Sequence, residues 1–330
     1  MPQPTVSQVH VQAALTMIAV AYIQDETFYV ADKVFPIVPV EFQSDVFFRF
    51  NKDDFFRDEA QQRADGEESA GGGFNLDHSE SYSAQVWAYH KDVGAQTRRN
   101  ADPAVNMDIA ATKFVMQKML IRRERVWAST YMANSVWGTD VAGALSPTTG
   151  QTYFWNDDAN GDPFTDIALG QTTILQNTGF EANTLVLSFP AYQALRKHPL
   201  VVDRIKYTTR ADASKITPDL LAGAFDVERV LVSKAVYNSA VEGATGSYSF
   251  TSGKDALLCH VAPDPGIMIP SAGYTFAWSG LTGLNTMGVR VAQIPLPWKG
   301  LETVRTEAEM AFAMNTVGTD LGYHFGGIVQ

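Results

Sequence analysis

The chain has 330 residues and a formal net charge of −11 at pH 7, with 25 Lys and Arg residues against 36 Asp and Glu. This balance argues against a general nucleic-acid-binding protein, because such proteins use Lys and Arg to neutralise phosphates. The single cysteine, Cys259, excludes a disulfide framework within the chain and is consistent with a reducing compartment, the cytoplasm.

The first 50 residues predict an N-terminal arm followed by a strand. Pro36 and Pro39 interrupt short apolar runs, and the run at 11–24 is too short to cross a bilayer and follows no basic segment. From Phe42 to Phe50 apolar and polar residues alternate, which predicts a half-buried strand. A second β-rich run, Tyr82 to His90, could pair with it as an antiparallel strand.

An acidic loop lies between these two strands. Residues 53–81 contain nine acids and two bases, so the loop carries 2 − 9 = −7 charges. With the triple glycine Gly71, Gly72 and Gly73 near its middle, the loop cannot build a core. A solvated, flexible insertion is the simple interpretation. The strands on either side favour an extended hairpin arm that reaches a partner.

A long amphipathic helix is predicted over residues 102–132, with Asp102 as its cap and Pro103 at its first position. At 1.5 Å per residue it would be about 46 Å long. Apolar or small residues recur at the spacing of one helix face. They are Val105, Ile109, Thr112, Met116, Met119, Val126 and Thr130.

Arg122, Arg123 and Arg125, with Glu124 among them, form a concentrated basic patch late on this helix. A solvated helix face is the simple interpretation of such a run. The sharper interpretation pairs these cations with acids of a neighbouring subunit, for which the acidic loop is the obvious donor.

The middle of the chain alternates short helices and strands. Residues 138–161 are rich in Gly, Thr, Asn and Asp and predict a connection. Helices are then predicted at 163–177, 190–198 and 217–225, and strands at 185–189, 230–237, 257–261, 274–278 and 289–294. This order predicts a compact α/β or α+β domain over 163–297.

One long strand is predicted near the end of the sequence. From Glu302 to Thr316, residues at every second position are apolar or small, and Arg305, Glu307 and Glu309 fall on the other face. Its length of roughly 50 Å at about 3.3 Å per residue matches that of the long helix. We therefore expect helix and strand to lie side by side, with the compact domain inserted between them in sequence.

The sequence contains no recognisable catalytic, nucleotide or metal constellation, so neither an enzyme nor a cofactor is predicted. Cys259 and His260 are adjacent on a predicted strand and would point to opposite faces, which makes a buried Cys259 the better interpretation. Residues 156–161 resemble half of a calcium loop, but the twelfth position is Ile167 rather than Glu. A plain turn around Asp157 is the default.

The order of these parts resembles the major capsid proteins of tailed bacteriophages, which have the HK97-like α+β fold. Four short stretches also resemble one siphophage capsid group. They are Ala31–Pro36, Asp54–Ala60, Glu68–Gly73 and Val136–Asp140.

The resemblance implies a division of the chain into four parts. Residues 1–50 would be the N-terminal arm and residues 51–98 an extended hairpin, the E-loop. Residues 99–162 and 301–317 would form the peripheral domain around the spine helix 102–132. The inserted axial domain would comprise 163–300 and 318–330.

The resemblance also implies a function and partners. The chain would assemble with copies of itself into the hexamers and pentamers of an icosahedral head, built in the host cytoplasm around DNA that is enclosed without sequence-specific binding. A separate scaffolding protein is expected because the arm begins almost at Met1, and a portal and decoration proteins are further expected partners; none lies in a membrane. An encapsulin-like nanocompartment shell is the alternative, and a soluble α+β enzyme the remote one. The inter-subunit contact candidates are Asp58, Glu59, Glu67, Glu68, Gly71, Gly72, Gly73, Arg122, Arg123 and Arg125.

Overall fold

The computed structural model of the chain describes residues 23–101, 106–208, 216–266, 268–280, 285, 288–300 and 302–330. Its α-helices are α1 (Ala31–Val34), α2 (Lys52–Phe55), α3 (Ala95–Asn100), α4 (Met107–Tyr131), α5 (Pro163–Thr178), α6 (Phe189–Lys197), α7 (Pro199–Thr208) and α8 (Pro218–Phe225). Short 3-10 helices occur at Glu26–Phe28, Pro297–Lys299 and Thr319–Leu321.

The strands alternate with these helices in an α+β order. They are β1 (Ile37–Val40), β2 (Ser44–Val46), β3 (Arg49–Phe50), β4 (Leu76–Asp77), β5 (Ser81–Ser83), β6 (Gln85–Val93), β7 (Thr139–Ala144), β8 (Gln151–Tyr153), β9 (Thr184–Ser188), β10 (Arg229–Ser233), β11 (Val236–Asn238), β12 (Tyr248–Phe250), β13 (Ala256–Cys259), β14 (Gly273–Trp278), β15 (Val289–Pro295), β16 (Val304–Thr316) and β17 (Gly322–Gly326).

Two larger sheets organise the described residues. In the long-strand sheet, β16 pairs with β6, β14 and β15, all antiparallel, and β1 adds to β14 in parallel. The six-stranded sheet has the order β10-β9-β13-β17-β7-β8. One core packs α5 to α8 on one face of the six-stranded sheet, and a second core joins its other face to α4 and the long-strand sheet.

The long helix α4 runs for 25 residues, or about 37 Å at 1.5 Å per residue. It begins after Asn106, whose side chain accepts hydrogen bonds from the backbone N–H groups of Asp108 and Ile109. Because Asn106 caps it, the helix starts later than predicted. The predicted cap at Asp102 and Pro103 lies outside the described residues.

The buried face of α4 differs from the predicted stripe. Met119 is the member of that stripe that is fully buried, whereas Ile109 and Thr130 are exposed. The buried face differs because Trp127 and Tyr131, which were not in the predicted stripe, are large aromatic residues that pack in the core. The buried residues are Ala111, Val115, Met119, Glu124, Trp127, Ala128 and Tyr131.

Strand β16 confirms the predicted alternation and its position beside the helix. Thr306, Ala308, Met310, Phe312 and Met314 are buried on one face. The strand packs directly on α4. The hydroxyl of Tyr131 also donates a hydrogen bond to the backbone carbonyl of Met314, which ties the ends of helix and strand together.

The helices and strands of the compact region are largely where they were predicted. Helix α5 begins at Pro163 after the Asp162 cap and ends at Gly179, whose φ of 72° favours glycine. The prediction missed α7 and the strands β7, β8, β12 and β17, of which β7 and β8 lie within the predicted connection 138–161. Ala142, Gly143 and Ala144 make β7 hard to recognise, because small residues give a weak β signal.

Both sheets cross the boundaries that were predicted from sequence. Strands β14 and β15 precede residue 301 but pair with β16, and β7 and β8 precede residue 163 but join the six-stranded sheet. Sequence order alone cannot reveal this, because the pairing partners are separated by up to about 180 residues of chain. The four-part division stays a prediction.

The segment before β1 is part of the core rather than a loose arm. Residues 1–22 lie outside the described part of the chain, but Val30, Ala31, Val34 and Phe35 are fully buried. The Phe35 ring makes edge-on contacts with Trp127 and Trp137, each at a centroid distance of 6.4 Å. Pro36 and Pro39 suggested an arm, whereas the single turn of α1 just before them is fixed by tertiary contacts.

The predicted hairpin is present, with a different register. Strand β2 pairs with β5 and β3 pairs with β4, both antiparallel. Residues 42–83 therefore form one hairpin, which we call the hairpin. Most of the second predicted strand belongs instead to β6, which pairs with β16. The reason is that the apolar residues of β6 pair with a longer strand, β16, in the long-strand sheet.

Candidate subunit-contact surfaces

The buried reactive side chains found among the described residues show no catalytic arrangement. Burial raises the pKa of the Cys259 thiol to about 12, so it stays protonated near neutral pH and serves as a small core residue. No group of metal-binding side chains occurs in this part of the chain, and none of its helices is long and apolar enough to cross a membrane. Asp157 accepts hydrogen bonds from the backbone N–H groups of Ala159 and Asn160, as expected for a plain turn.

The base of the hairpin is anchored on the long-strand sheet by aromatic stacking. Tyr82 and Phe47 stack on Phe276 of β14, at centroid distances of 4.5 and 5.5 Å. Farther out, Lys52 of α2 forms an ion pair with Asp320. These contacts fix the hairpin at its base and along one side, while most of its length stays in solvent.

The hairpin exposes a large aromatic surface. The alternation from Phe42 to Phe50 predicted burial, but Phe42 is 65 % exposed and Phe48 is 64 % exposed. The rings of Phe50, Phe55 and Phe74 contact one another farther along the hairpin. Apart from Phe56, whose ring lies against Gly179, its members are left largely uncovered by the rest of the described chain. Exposed apolar patches of this kind mark interaction sites. Its exposed members are Phe42, Val46, Phe48, Phe55, Phe56, Phe74 and Leu76.

The contact candidates of the acidic loop, four acids and three glycines, all lie at the outer end of the hairpin, and all are exposed. They are Asp58, Glu59, Glu67, Glu68, Gly71, Gly72 and Gly73. Arg57 lies 3.4 Å from Glu59 and 3.6 Å from Asp54, so it neutralises part of the charge. Asp58, Glu67 and Glu68 form no ion pair with any described residue. The hairpin tip therefore presents uncompensated negative charge to its surroundings.

Two of the predicted arginines flank an open cleft on the solvent side of α4. The Arg122 guanidinium stacks 4.0 Å from the ring centre of Trp87, and that of Arg125 stacks 4.2 Å from the ring centre of Tyr237. Neither arginine forms an ion pair with a described residue. The cleft has a volume of about 250 Å³. We call it the arginine cleft; it is lined by Trp87, Arg122, Arg125, Val126, Ser129 and Thr130.

Arg123 differs from its two neighbours. Its side chain is only 13 % exposed and forms an ion pair of 3.1 Å with Asp32. The structure thus uses Arg123 inside the subunit, to hold α1 against α4. A role between subunits remains a prediction for Arg122 and Arg125.

Glu124, within the same run, is completely buried. One carboxylate oxygen accepts hydrogen bonds of 3.0 Å from the backbone N–H groups of Val30 and Ala31, and the other accepts one of 3.2 Å from the Ser233 hydroxyl. Burial raises the pKa of Glu124 to about 7, although these hydrogen bonds and Arg123 favour the charged form. Glu124 thereby joins the N-terminal segment, α4 and the six-stranded sheet.

The acids lie together at the hairpin tip, and Arg122 and Arg125 lie together at the arginine cleft. Within one chain these two groups are not in contact. Sequence reasoning missed Trp87 and Tyr237, which support the arginines. No local signal could have identified them, because they lie 35 and 112 residues from the arginines they contact. The exposed Phe residues were visible in the sequence but were assigned to a buried face.

One curated relative is a phage structural protein. The chain is 25 % identical over 325 residues to the major capsid protein of Burkholderia phage BcepMu, and the match covers 96 % of both chains. No protein-family model matches the chain.

Solved structures share the fold over nearly the whole chain. A phage-related protein of Bordetella bronchiseptica superposes with a TM-score of 0.67 and 23 % identity, covering 92 % of this chain and 94 % of that one. The capsid protein of cyanophage P-SCSP1u gives a TM-score of 0.59 at 10 % identity, covering 94 % and 90 %. The SrpI encapsulin of Synechococcus elongatus gives 0.52 at 12 % identity, covering 96 % of both chains.

Proposed function

We propose that this chain, which has the HK97-like fold of phage major capsid proteins, is the structural subunit of an icosahedral phage head. Copies would assemble into hexamers and pentamers that enclose the DNA genome. The observation that carries the proposal is the match to a phage major capsid protein along 96 % of both chains.

The exposed surfaces of the subunit support an assembling protein. The exposed aromatic surface of the hairpin is unfavourable on an isolated monomer, and neighbouring copies would cover it. The acidic tip and the arginine pair offer complementary charges for such contacts. Acidic and basic surfaces of this kind set the register between copies more than they supply affinity. The surplus negative charge of the chain also suits a container that holds DNA without binding its sequence.

For the parts of the subunit we propose the division inferred from sequence, with three changes. The pairing of β14 and β15 with β16 supports their assignment to the peripheral domain, and the pairing of β7 and β8 supports theirs to the axial domain. The hairpin would be the E-loop that reaches a neighbour. Residues 30–35, which pack in the core, would anchor the arm rather than form part of it.

The proposed partners are those of a head under construction. A separate scaffolding protein, a portal and decoration proteins would meet the shell, which would assemble in the bacterial cytoplasm and end as the virion capsid. The chain itself would have no enzymatic activity. A soluble α+β enzyme remains the remote alternative, and turnover by purified subunits in broad hydrolase assays would support it.

Electron microscopy of the purified chain tests the main proposal. We expect closed icosahedral shells in negative stain, and cryo-electron microscopy should resolve their pentamers and hexamers. If the chain alone stays unassembled, it should form these shells on co-expression with a scaffolding protein. A chain that remains monomeric under both conditions would contradict the proposal.

An encapsulin-like shell is the second candidate, supported by the similarity to the Synechococcus encapsulin. The contents of the particle distinguish the two. Shells purified from their native source should contain double-stranded DNA and one portal vertex if the chain is a capsid protein. Small shells filled with a single enzyme would favour the encapsulin.

A further inference from the structure

We propose that the arginine cleft binds a phosphate group of the DNA backbone, with Lys118 reaching a neighbouring phosphate on the same strand. The inference rests on the proposed function, which supplies enclosed DNA as the partner. The contact would not depend on base sequence. It requires the exposed side of α4 to face the inside of the shell.

The lining of the arginine cleft suits a phosphate. Arg122 and Arg125 stand beside a space of about 250 Å³, and neither forms an ion pair with a described residue. The Thr130 hydroxyl lines the same space. Guanidinium groups bind phosphate oxygens in a bidentate geometry, and arginine, lysine and threonine side chains are common donors to DNA phosphates. The cleft therefore offers two cations and a hydroxyl group to one anion.

Both arginine side chains are positioned before an anion binds. The Arg122 guanidinium lies on Trp87 of β6, and the Arg125 guanidinium lies on Tyr237 of β11. Both rings belong to paired strands, since β6 pairs with β16 and β11 pairs with β12. Because stacking on these rings already restricts the arginine side chains, less side-chain entropy is lost when the anion binds.

Lys118 extends the basic surface by one helical turn. Residues 118, 122 and 125 are separated by four and three positions, the spacing that places side chains on one side of a helix. All three are exposed, and we call them the basic stripe. The stripe runs for about 10 Å at 1.5 Å per residue. One strand of duplex DNA carries a phosphate about every 3.4 Å of its axis, so the stripe spans about three phosphates.

The basic stripe keeps its charge, although acids outnumber bases in the chain by 36 to 25. None of its three members forms an ion pair with any residue that the structure describes. Its positive charge is therefore left for a partner outside the chain. Other arginines of α4, of the long-strand sheet and of the segment between β6 and α4 are each paired with a carboxylate of the same chain. They are Arg98, Arg123, Arg290 and Arg305.

The net charge of −11 confines DNA contact to the basic stripe rather than preventing it, because acidic surfaces elsewhere repel phosphates. A few contacts per subunit give weak binding that depends strongly on salt, and the many copies in a shell add their contributions. Weak contacts of this kind hold the outermost DNA against the shell and still let it move.

Carboxylates from the hairpin tip of another copy are the competing anions, and they cannot share the cleft with a phosphate. The three cations of the basic stripe lie in a row, which matches the regular spacing of phosphates along a strand. The acids of the hairpin tip, within residues 58–68, lie on a segment without helix or strand and have no regular spacing. The geometry therefore favours DNA over the hairpin.

The salt dependence of DNA binding tests the site on full-length unassembled subunits. For three phosphate contacts, the slope of log affinity against log salt should be about −3 with a short duplex. Arg122→Gln with Arg125→Gln should bring the slope to about −1 and weaken binding at least tenfold at low salt. The matched control, Lys197→Gln with Lys206→Gln, loses the same charge from exposed positions of α6 and α7 and should keep the wild-type slope.

Two results of this titration would overturn the inference. One is the same slope for the arginine variant and the lysine control. The other is a peptide of residues 62–70 that binds wild type more tightly than the duplex does, at equal total charge, and loses this affinity in the arginine variant. That result would identify the hairpin as the occupant. Thermal unfolding should give equal midpoints for the two variants.

Formaldehyde crosslinking in DNA-filled heads from the native source tests the site without loss of charge. Lys118 should be linked to DNA at least tenfold more often than Lys197, which lies on the other side of the six-stranded sheet. Arg122→Lys and Arg125→Lys keep the charge and should add linked positions. DNA linked equally at both lysines, or mainly at Lys197, would overturn the inference and leave the proposed function intact. Particles that never contain DNA would instead contradict the proposed function.

Discussion

Glu124 shows how a single side chain can connect three parts of this subunit. Its carboxylate accepts hydrogen bonds from the backbone at Val30 and Ala31 and from Ser233, and Arg123 beside it forms an ion pair with Asp32. Ser233 in turn accepts a hydrogen bond of 2.8 Å from Ser252, and the buried hydroxyl of Tyr29 lies in the field of the same carboxylate. The protonation state of Glu124 therefore affects a junction rather than one contact.

The pKa of Glu124 predicts a pH-dependent stability of the unassembled subunit. Burial raises this pKa from 4.5 to about 7, so between these values the folded chain keeps a proton that the unfolded chain has lost. The free energy of unfolding must then fall as pH rises through this window. At about 1.4 kcal/mol per pKa unit, the loss from this one residue is roughly 3 kcal/mol.

Urea unfolding of Glu124→Gln between pH 5 and pH 8 measures this effect. Gln resembles the protonated acid, so the variant should match wild type near pH 5 and exceed it by about 2–3 kcal/mol at pH 8. The exposed Glu242→Gln serves as the control and should follow wild type throughout. If the free energy of unfolding changed with pH in the same way for wild type and Glu124→Gln, the raised pKa of Glu124 would be contradicted.

The sequence could identify the basic run at 122–125 but not the separate roles of its members. Arg122 and Arg125 point to the cleft, Arg123 reaches Asp32, and Glu124 is buried. Adjacent residues on a helix are about 100° apart, so one charged run can face several environments. Which environment each meets depends on segments roughly 90 and 110 residues away in the chain, the distances from Glu124 to Val30 and Ser233.

At the scale of elements, the long strand was predicted well because its alternation continues over thirteen residues. The long helix was predicted in position but not in phase, since small residues such as Ala111 and Ala128 lie on its buried face and carry little hydrophobic signal. Strands β7 and β17 were missed. Their place in the sheet depends on pairing with each other and with β13, which sequence spacing does not reveal.

Two glycines predict opposite effects of the same substitution. Gly322 begins β17 directly against the ring of Trp137, so a methyl group there would overlap the indole. Gly223 lies on the exposed side of α8 with no atom within 4 Å of an added methyl group. Gly322→Ala should lower the free energy of unfolding by about 1–3 kcal/mol through overpacking. Gly223→Ala should raise it by about 0.5–1 kcal/mol by stiffening the unfolded chain.

Denaturant unfolding of unassembled subunits distinguishes these effects. The two variants change the same number of atoms, so Gly223→Ala is the matched control for Gly322→Ala. Equal, small effects at both positions would mean that the Trp137 side chain moves aside without cost.

For the whole molecule, the sequence predicted an extended hairpin with an acidic tip, and the structure has such a hairpin. It did not predict the exposed aromatic surface, because alternation shows that a face is apolar but not whether the same chain covers it. The candidate contact residues likewise remain predictions, since an interface with another copy leaves no trace in the packing of one chain. Within the described residues, the exposed aromatic surface and the charge left without a partner both point beyond the single chain.

Deletion of residues 60–75 tests the hairpin tip as a bridge between subunits. Every residue of this segment is exposed, although Phe74 packs on Phe50 and Phe55, so the free energy of unfolding should fall by no more than about 1–2 kcal/mol. The variant should fold but form no heads, as judged by circular dichroism and electron microscopy.

A Gly and Ser linker of the same length, in place of residues 60–75, is the control for hairpin length. It should fail to assemble as the deletion does, because it lacks the acids. Normal particles from the deletion would exclude the bridge, and normal particles from the linker alone would show that length rather than charge matters.

The central strands of the two sheets also determine when the subunit can fold. Strand β16 lies between partners from residues 85–93 and 273–295, and β17 lies between β13 and β7. Both are the last strands in chain order, so a nascent polypeptide holds the flanking strands without the ones that join them. Neither sheet can close until residues after 303 have left the ribosome, and the pairing is long-range and slow. An incomplete chain therefore lacks the finished surfaces that the proposed shell requires, so release of the chain from the ribosome would come before assembly.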